Sequence, residues 1–259
     1  MKKKNHVFAK KKFGQNFLRD KNIIDKIVTL FDIKQQNIVE IGPGRGALTS
    51  ELVKKAKQVI AFEIDKDMVD VLNQNINSNN LDLRHQDFLK SDLSNLPTSI
   101  VIANIPYYIT TDILFKIFEH RDKFSKTILM VQKEVAQRLI AKYKTYDYSK
   151  LTVSAQYLAK VNLEFVVPAS CFIPAPKVDS AIVSFEFYPN ISNQYWLRLK
   201  GFFKVCFANR RKKLIFSLKL KYSLEKINAA YQKLHLNENT RIQELQISEI
   251  INLYQELEK

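Results

Sequence analysis

The most constraining feature of this chain is a strand, a glycine turn and a helix in immediate succession. Ile38-Val39-Glu40-Ile41 is a short apolar run suited to a buried strand. Gly42-Pro43-Gly44-Arg45-Gly46 follows it directly, and Ala47 to Lys55 resumes with helical spacing. Glycine serves where backbone turns sharply or lies against a ligand, and strands that alternate with helices build a parallel sheet. The alternation repeats. Ile23 to Phe31 has helical spacing, Val59 to Ile64 reads as a strand, and Asp65 to Asn77 as a helix with Asp65 as its N-cap. Leu81 to Gln86, Ser99 to Ala103 and Thr127 to Gln132 are further strands, with helical runs at Ile113 to Phe118 and Glu134 to Tyr143. Leu163 to Val167 and Ala181 to Phe187 close the series, the latter alternating as an antiparallel strand does. Past Tyr188-Pro189-Asn190 strand signals stop and amphipathic helical patterns run to Lys259. The chain reads as an α/β, Rossmann-like domain over 1–188 and a small all-helical domain over 189–259.

Its charge is a separate clue. The 259 residues carry a formal net charge of +15, and 46% are hydrophobic. That is enough apolar content for a packed core and more charge than solubility requires. A polyanionic partner such as nucleic acid or an anionic membrane is expected. No apolar segment follows Met1-Lys2-Lys3-Lys4-Asn5, so no secretory leader is expected. The longest uncharged stretch, Leu93 to Thr111, holds two prolines and many polar residues and cannot span a bilayer. Cys171 and Cys206 form neither a disulfide framework nor a metal-ligand pattern and read as buried small hydrophobes. A cytoplasmic protein without a metal site is the expectation.

Chemistry gathers at the carboxyl ends of the expected strands. The glycine turn admits close approach of a ligand, and the helix behind it offers free N–H donors. Gly42, Gly44 and Ala47 also satisfy the dinucleotide fingerprint, so this motif leaves a nicotinamide oxidoreductase open. Glu63, ending the second strand, would accept ribose hydroxyls in either case. Glu40 ahead of Gly-Pro-Gly-x-Gly resembles a loop that holds S-adenosylmethionine. Asp87, closing the third strand, is placed to accept from an adenine N6 amine or to cap the next segment. Asn104-Ile105-Pro106-Tyr107 ends the apolar run Ile100 to Ala103. An amide there can accept from an exocyclic amine, proline stiffens the turn, and tyrosine offers a face to an extruded base. The quartet resembles the acceptor site of enzymes that methylate a nucleobase amine; its plainer reading is a proline turn with a core tyrosine.

Five segments carry a more specific resemblance. They are Lys12-Phe13-Gly14-Gln15-Asn16-Phe17-Leu18, Ile38-Val39-Glu40-Ile41-Gly42-Pro43-Gly44-Arg45-Gly46, Asn104-Ile105-Pro106-Tyr107-Tyr108-Ile109-Thr110, Val131-Gln132-Lys133-Glu134-Val135-Ala136-Gln137-Arg138-Leu139 and Phe172-Ile173-Pro174-Ala175-Pro176-Lys177-Val178-Asp179-Ser180-Ala181. In order and spacing they resemble the small-subunit ribosomal RNA adenine N6,N6-dimethyltransferases, and the helical tail resembles that family's second domain. The resemblance implies a class I methyltransferase fold, S-adenosylmethionine as cofactor, and dimethylation of two adjacent adenosines near the 3′ end of small-subunit ribosomal RNA. The partner it implies is the small ribosomal subunit or its precursor, met by a monomer and not by a membrane protein. Residue by residue, it implies Asn16 and Leu18 over the cofactor's edge, Gly42 with Gly44 along its amino-acid part, Glu63 on its ribose and Asp87 on its adenine. Asn104 would stand between cofactor and acceptor amine, with a backbone carbonyl of Ile105 or Pro106 beside it. Tyr107 would stack on the target adenine and Phe172 would cover its other face. Asp112 stands where relatives often carry proline, which leaves open where the following helix starts.

Basic runs would grip the RNA. They are Lys2, Lys3, Lys4, Lys10, Lys11 and Lys12 at the start and Arg210, Arg211, Lys212 and Lys213 in the tail. Lys133 and Arg138 would line the same groove or make surface pairs. Two rival readings stay open: an enzyme that methylates large-subunit RNA through a similar loop, and a ribosome-assembly RNA-binding factor whose methylation is secondary or lost.

Overall fold

The computed structural model describes Lys10 and residues 13–259, so Lys2, Lys3, Lys4, Lys11 and Lys12 lie outside the described residues. Among the described residues the strands are β1 (Phe17–Leu18), β2 (Asn37–Ile41), β3 (Gln58–Glu63), β4 (Leu81–His85), β5 (Ser99–Asn104), β6 (Phe124–Gln132), β7 (Ala159–Val167), β8 (Phe172–Ile173) and β9 (Ser180–Phe187). The α-helices are α1 (Lys21–Val28), α2 (Thr49–Lys55), α3 (Lys66–Asn75), α4 (Thr110–Glu119), α5 (Lys133–Leu139), α6 (Lys150–Leu158), α7 (Asn193–Cys206), α8 (Leu214–Leu218), α9 (Leu224–Lys233) and α10 (Ile247–Leu257).

Seven strands form one sheet in the order β4-β3-β2-β5-β6-β9-β7. The pairs from β4 to β6 are all parallel, and β9 runs antiparallel to β6. β2 and β5 are buried along almost their whole length, which is why β5 reads as a continuous apolar run from Ile100 to Ala103 and β2 as one broken only by Glu40. β2 lies between β3 and β5, so the chain leaves it toward both edges. At such a switch point a crevice opens beyond the carboxyl ends of the strands. Ile24, Ile27 and Val28 of α1 and Leu52 of α2 pack with Ile38, Val59 and Ile100 in the core. Each such side chain contributes roughly 1.5–3 kcal/mol when fully buried. Asp65 caps α3 as expected, accepting from Asp67 N at 3.2 Å. α4 starts at Thr110, ahead of Asp112.

The two-residue pair of β1 and β8 sets Leu18 opposite Phe172 and holds the start of the chain against a segment far along it. Strands this short have no period to read, and neither was expected.

The chain divides into two compact units. One comprises residues up to Ala136 with Val161–Phe187, the other Gln137–Lys160 with Tyr188–Lys259. This differs from a partition into 1–188 and 189–259, because residues 137–160 sit with the tail. α6, unexpected from the sequence, is the reason. Its Leu151 to Ala155 are buried in succession, and Tyr157 stacks on Trp196 with ring centroids 6.3 Å apart. A helix enclosed on most sides shows no amphipathic stripe. Ser149 and Thr152 close it with a capping box.

Candidate active site

Two loops of the first unit face each other at the crevice. The first follows β2, where Gly42 and Gly44 have φ of +65° and +56°. Gly44 also lacks room, since a Cβ there would stand 3.0 Å from the Phe17 ring. The turn aims Gly44 N at Glu63 Oε2 (3.0 Å), while Asp65 N donates to Glu63 Oε1 (2.8 Å). Burial pushes the Glu63 pKa up, and those two donors oppose the shift. Behind it Glu40 is enclosed. Its Oε2 has no hydrogen-bond partner, and burial, reinforced by the Glu63 charge, pushes its pKa up to about 8.

The second loop follows β5. Asn104 Nδ2 donates to the Asn16 carbonyl at 3.0 Å. A carbonyl only accepts, so this contact decides which end of the amide is which and leaves Oδ1 for another donor. The Pro106 carbonyl accepts from Ile109 N at 3.3 Å, closing a 3₁₀ turn over Tyr107–Ile109. The Tyr107 hydroxyl stands 2.6 Å from Ser180 Oγ, which fixes the ring, and burial raises its pKa.

A strap of residues 13–18 bridges the two loops. Gln15 Nε2 and Lys10 Nζ donate to the two Asp65 carboxylate oxygens at 2.9 and 2.6 Å. Burial works against the Asp65 charge, but these bonds hold its pKa below the usual carboxylate range. Phe17 lies against Gly44 with the Arg45 guanidinium 4.5 Å from its ring centroid. On the far wall Asp87 Oδ1 accepts from Leu89 N at 2.9 Å and so caps the following turn, a role compatible with also facing the cleft. Lys116 Nζ holds the same turn, donating to the Leu89 and Ser91 carbonyls at 2.8 and 2.6 Å.

Asn16, Leu18, Gly42, Gly44, Glu63, Asp87, Asn104, Ile105, Pro106 and Tyr107 thus line one cleft, of about 1050 Å³ counting its open mouth. Other expected site residues lie elsewhere. Phe172, expected to cover the target base, is buried in the core at 2% exposure beside Leu18, because β8 pairs with β1 and turns its ring inward. Lys133 is exposed at the start of α5, and Arg138 is half-buried with its carbonyl accepting from Thr152. Arg211 is exposed, whereas Arg210 Nη1 donates to the carbonyls of Tyr146 and Tyr148. Sequence reasoning missed Gln15, Phe88, Tyr108, Ser180 and Lys116. Gln15, Tyr108 and Ser180 stand inside the five family-like segments, so proximity was their signal; Lys116 had none.

The donor set fits a nucleoside that carries a cation, as S-adenosylmethionine does. Glu63 and Asp87 present carboxylates to hydroxyls or amines, Phe88 supplies an apolar wall, and Glu40 keeps an unpartnered oxygen at the base.

Comparison with known proteins agrees. A family model described as ribosomal RNA adenine dimethylase matches residues 7–259. A ribosomal RNA small subunit methyltransferase A of Mycoplasmopsis synoviae (strain 53) is 53% identical over 95% of this chain and 96% of its own. Among solved structures, a dimethyladenosine transferase from Plasmodium falciparum superposes with TM-score 0.81 at 27% identity, covering 93% of this chain and 97% of the other. The 23S rRNA methyltransferase ErmE superposes with TM-score 0.70 at 26% identity, covering 94% and 100%.

Proposed function

Because the chain belongs to the ribosomal RNA adenine dimethylase family, we propose that it dimethylates N6 of two adjacent adenosines near the 3′ end of small-subunit ribosomal RNA, using S-adenosylmethionine, in the cytoplasm. The observation that carries this reading is the Asn104 amide, oriented by the Asn16 carbonyl at the mouth of a cleft lined by Glu63 and Asp87. Higher identity to the small-subunit relative than to ErmE supports the small over the large subunit.

When bound, S-adenosylmethionine supplies an electrophilic methyl group. Glu63 would hold its ribose, Asp87 its adenine, and the Gly42–Gly44 backbone its amino-acid part. The chain's remaining task is to aim a poor nucleophile, since the adenine N6 lone pair is delocalised into the ring. Asn104 Oδ1 accepts one N6 proton. The Pro106 carbonyl is already engaged in its turn, which favours the Ile105 carbonyl as acceptor of the other. Two acceptors draw the nitrogen toward tetrahedral geometry and direct its lone pair into the cleft. Nitrogen becomes cationic as the new bond forms, so its proton is then acidic enough to leave without a strong base. Catalysis of this kind rests on positioning, worth ~7–11 kcal/mol in well-oriented cases. The target base must leave its stack to enter, and the fixed Tyr107 ring offers it a face.

The test is transfer of labelled methyl groups to unmethylated small ribosomal subunits, with nucleoside analysis and with large subunits alongside. Dimethyladenosine in the small-subunit RNA is expected. Label confined to large subunits would move the protein to the ErmE type of activity, and binding without transfer to either would favour an assembly factor.

A further inference from the structure

The second unit carries an aromatic ring that the cleft does not use. Tyr146, in the loop between α5 and α6, is 86% exposed, more than any other large hydrophobic side chain among the described residues. An exposed tyrosine alone means little; its support is what singles it out. Arg210 reaches back to this loop, donating through Nη1 to the carbonyls of Tyr146 (2.6 Å) and Tyr148 (3.0 Å). Its guanidinium carbon stands 5.2 Å from the Tyr146 ring centroid, so one face is covered by a cation while most of the ring meets solvent. The foot of the loop is anchored as well. Tyr148 is buried against Phe207 with centroids 6.1 Å apart, and Lys144 N donates to the Gln243 carbonyl at 2.6 Å. The loop itself is basic, with Lys142 and Lys144 against one acid, Asp147, while Glu249 lies near Tyr148 at its foot. Lys150 opens α6 where burial and the charges of Lys200 and Lys204 on α7 lower its pKa. Lysines in the same loop as a supported, half-covered aromatic suit a polyanion with flat groups.

We propose that Tyr146 is a stacking platform for an unpaired RNA base, with Arg210 as the positioning residue that holds it. Arg210 then acts on RNA through the tyrosine rather than chiefly as a phosphate contact. This rests on the ribosomal RNA reading above and assigns a second RNA contact, within the helical unit.

The experiment measures binding of transcribed small-subunit ribosomal RNA to the full-length protein over a salt series. Tyr146→Ala is expected to weaken binding roughly 5- to 100-fold while leaving the slope of log Kd against log salt unchanged. Tyr146→Trp should retain wild-type affinity. Arg210→Ala should weaken binding too, and the Tyr146→Ala/Arg210→Ala double variant should be little worse than the weaker single one, since both remove the same contact. Unchanged cofactor binding by Tyr146→Ala serves as the folding control. Affinity of Tyr146→Ala within about twofold of wild type, beside additive losses in the double variant, would overturn the platform and leave this face to phosphate contacts or an acidic protein. Failure of the wild type itself to bind this RNA would instead overturn the ribosomal RNA reading, and this inference with it.

Discussion

At the scale of single residues, the site depends on which atom of a side chain faces which way. Asn104 is useful because its Nδ2 is consumed by the Asn16 carbonyl. Removing the amide should cost what loss of one oriented donor or acceptor costs elsewhere, about 10²–10³ in kcat. Asn104→Ala is therefore expected to lose methyl transfer by that factor while equilibrium cofactor affinity moves far less. Equal losses in both would mean the amide serves binding rather than alignment. Glu40 gives a prediction in pH. Its folded pKa is raised from 4.5 to about 8, so between those values the unfolded chain has released a proton the folded chain keeps. Stability from this group is complete below 4.5 and is lost as pH rises toward about 8. Glu40→Gln does not titrate. Without cofactor, its unfolding free energy should therefore gain on the wild type by on the order of 1 kcal/mol per pH unit across that window. Urea denaturation measures this, and a difference that stays level with pH would show that Glu40 ionises as an ordinary carboxyl.

At the scale of elements, the strap of residues 13–18 joins the cofactor side of the cleft to its acceptor side. It does so because Gln15 binds Asp65, two residues after Glu63 and itself bonded to it, while Asn16 binds Asn104. Asp65 also caps α3, and loss of a cap costs ~0.5–2 kcal/mol, so its removal would confuse stability with function. Gln15→Ala spares the cap. We expect it to raise the cofactor KM on the order of tenfold and to lower kcat, with the unfolding midpoint nearly unchanged. Cofactor KM and kcat both at wild-type values would show that the strap closes without its latch. The sequence made the elements beneath this strap legible, since short apolar strands between helices admit few arrangements. It did not reveal β1, β8 or α6, because two-residue strands have no period and a buried helix has no polar face.

At the scale of the whole molecule, residues 137–160 are the informative segment. Tyr148 packs on Phe207, and Tyr157 packs on Trp196 and Phe203, all beyond residue 188. A fragment ending at 188 would leave these rings uncovered, and aromatic side chains bury about 150–250 Å² each. We expect such a fragment to bind a hydrophobic dye, to aggregate and to unfold well below the full-length chain. A monodisperse fragment with the full unfolding temperature would assign 137–160 to the first unit instead.

What the sequence determined by itself is the alternation of the main strands and helices, the glycine turn, the acids at strand ends, the Asn104 to Tyr107 quartet and the excess of positive charge. These are local, written in spacing and composition. Tertiary structure alone decided that Asn16 orients Asn104 from 88 positions away, that Phe172 belongs to the core, and that Arg210 supports Tyr146. The physical reason is common to all three. Periodicity specifies which face of an element is buried, but what a given residue touches depends on which distant segment packing brings beside it.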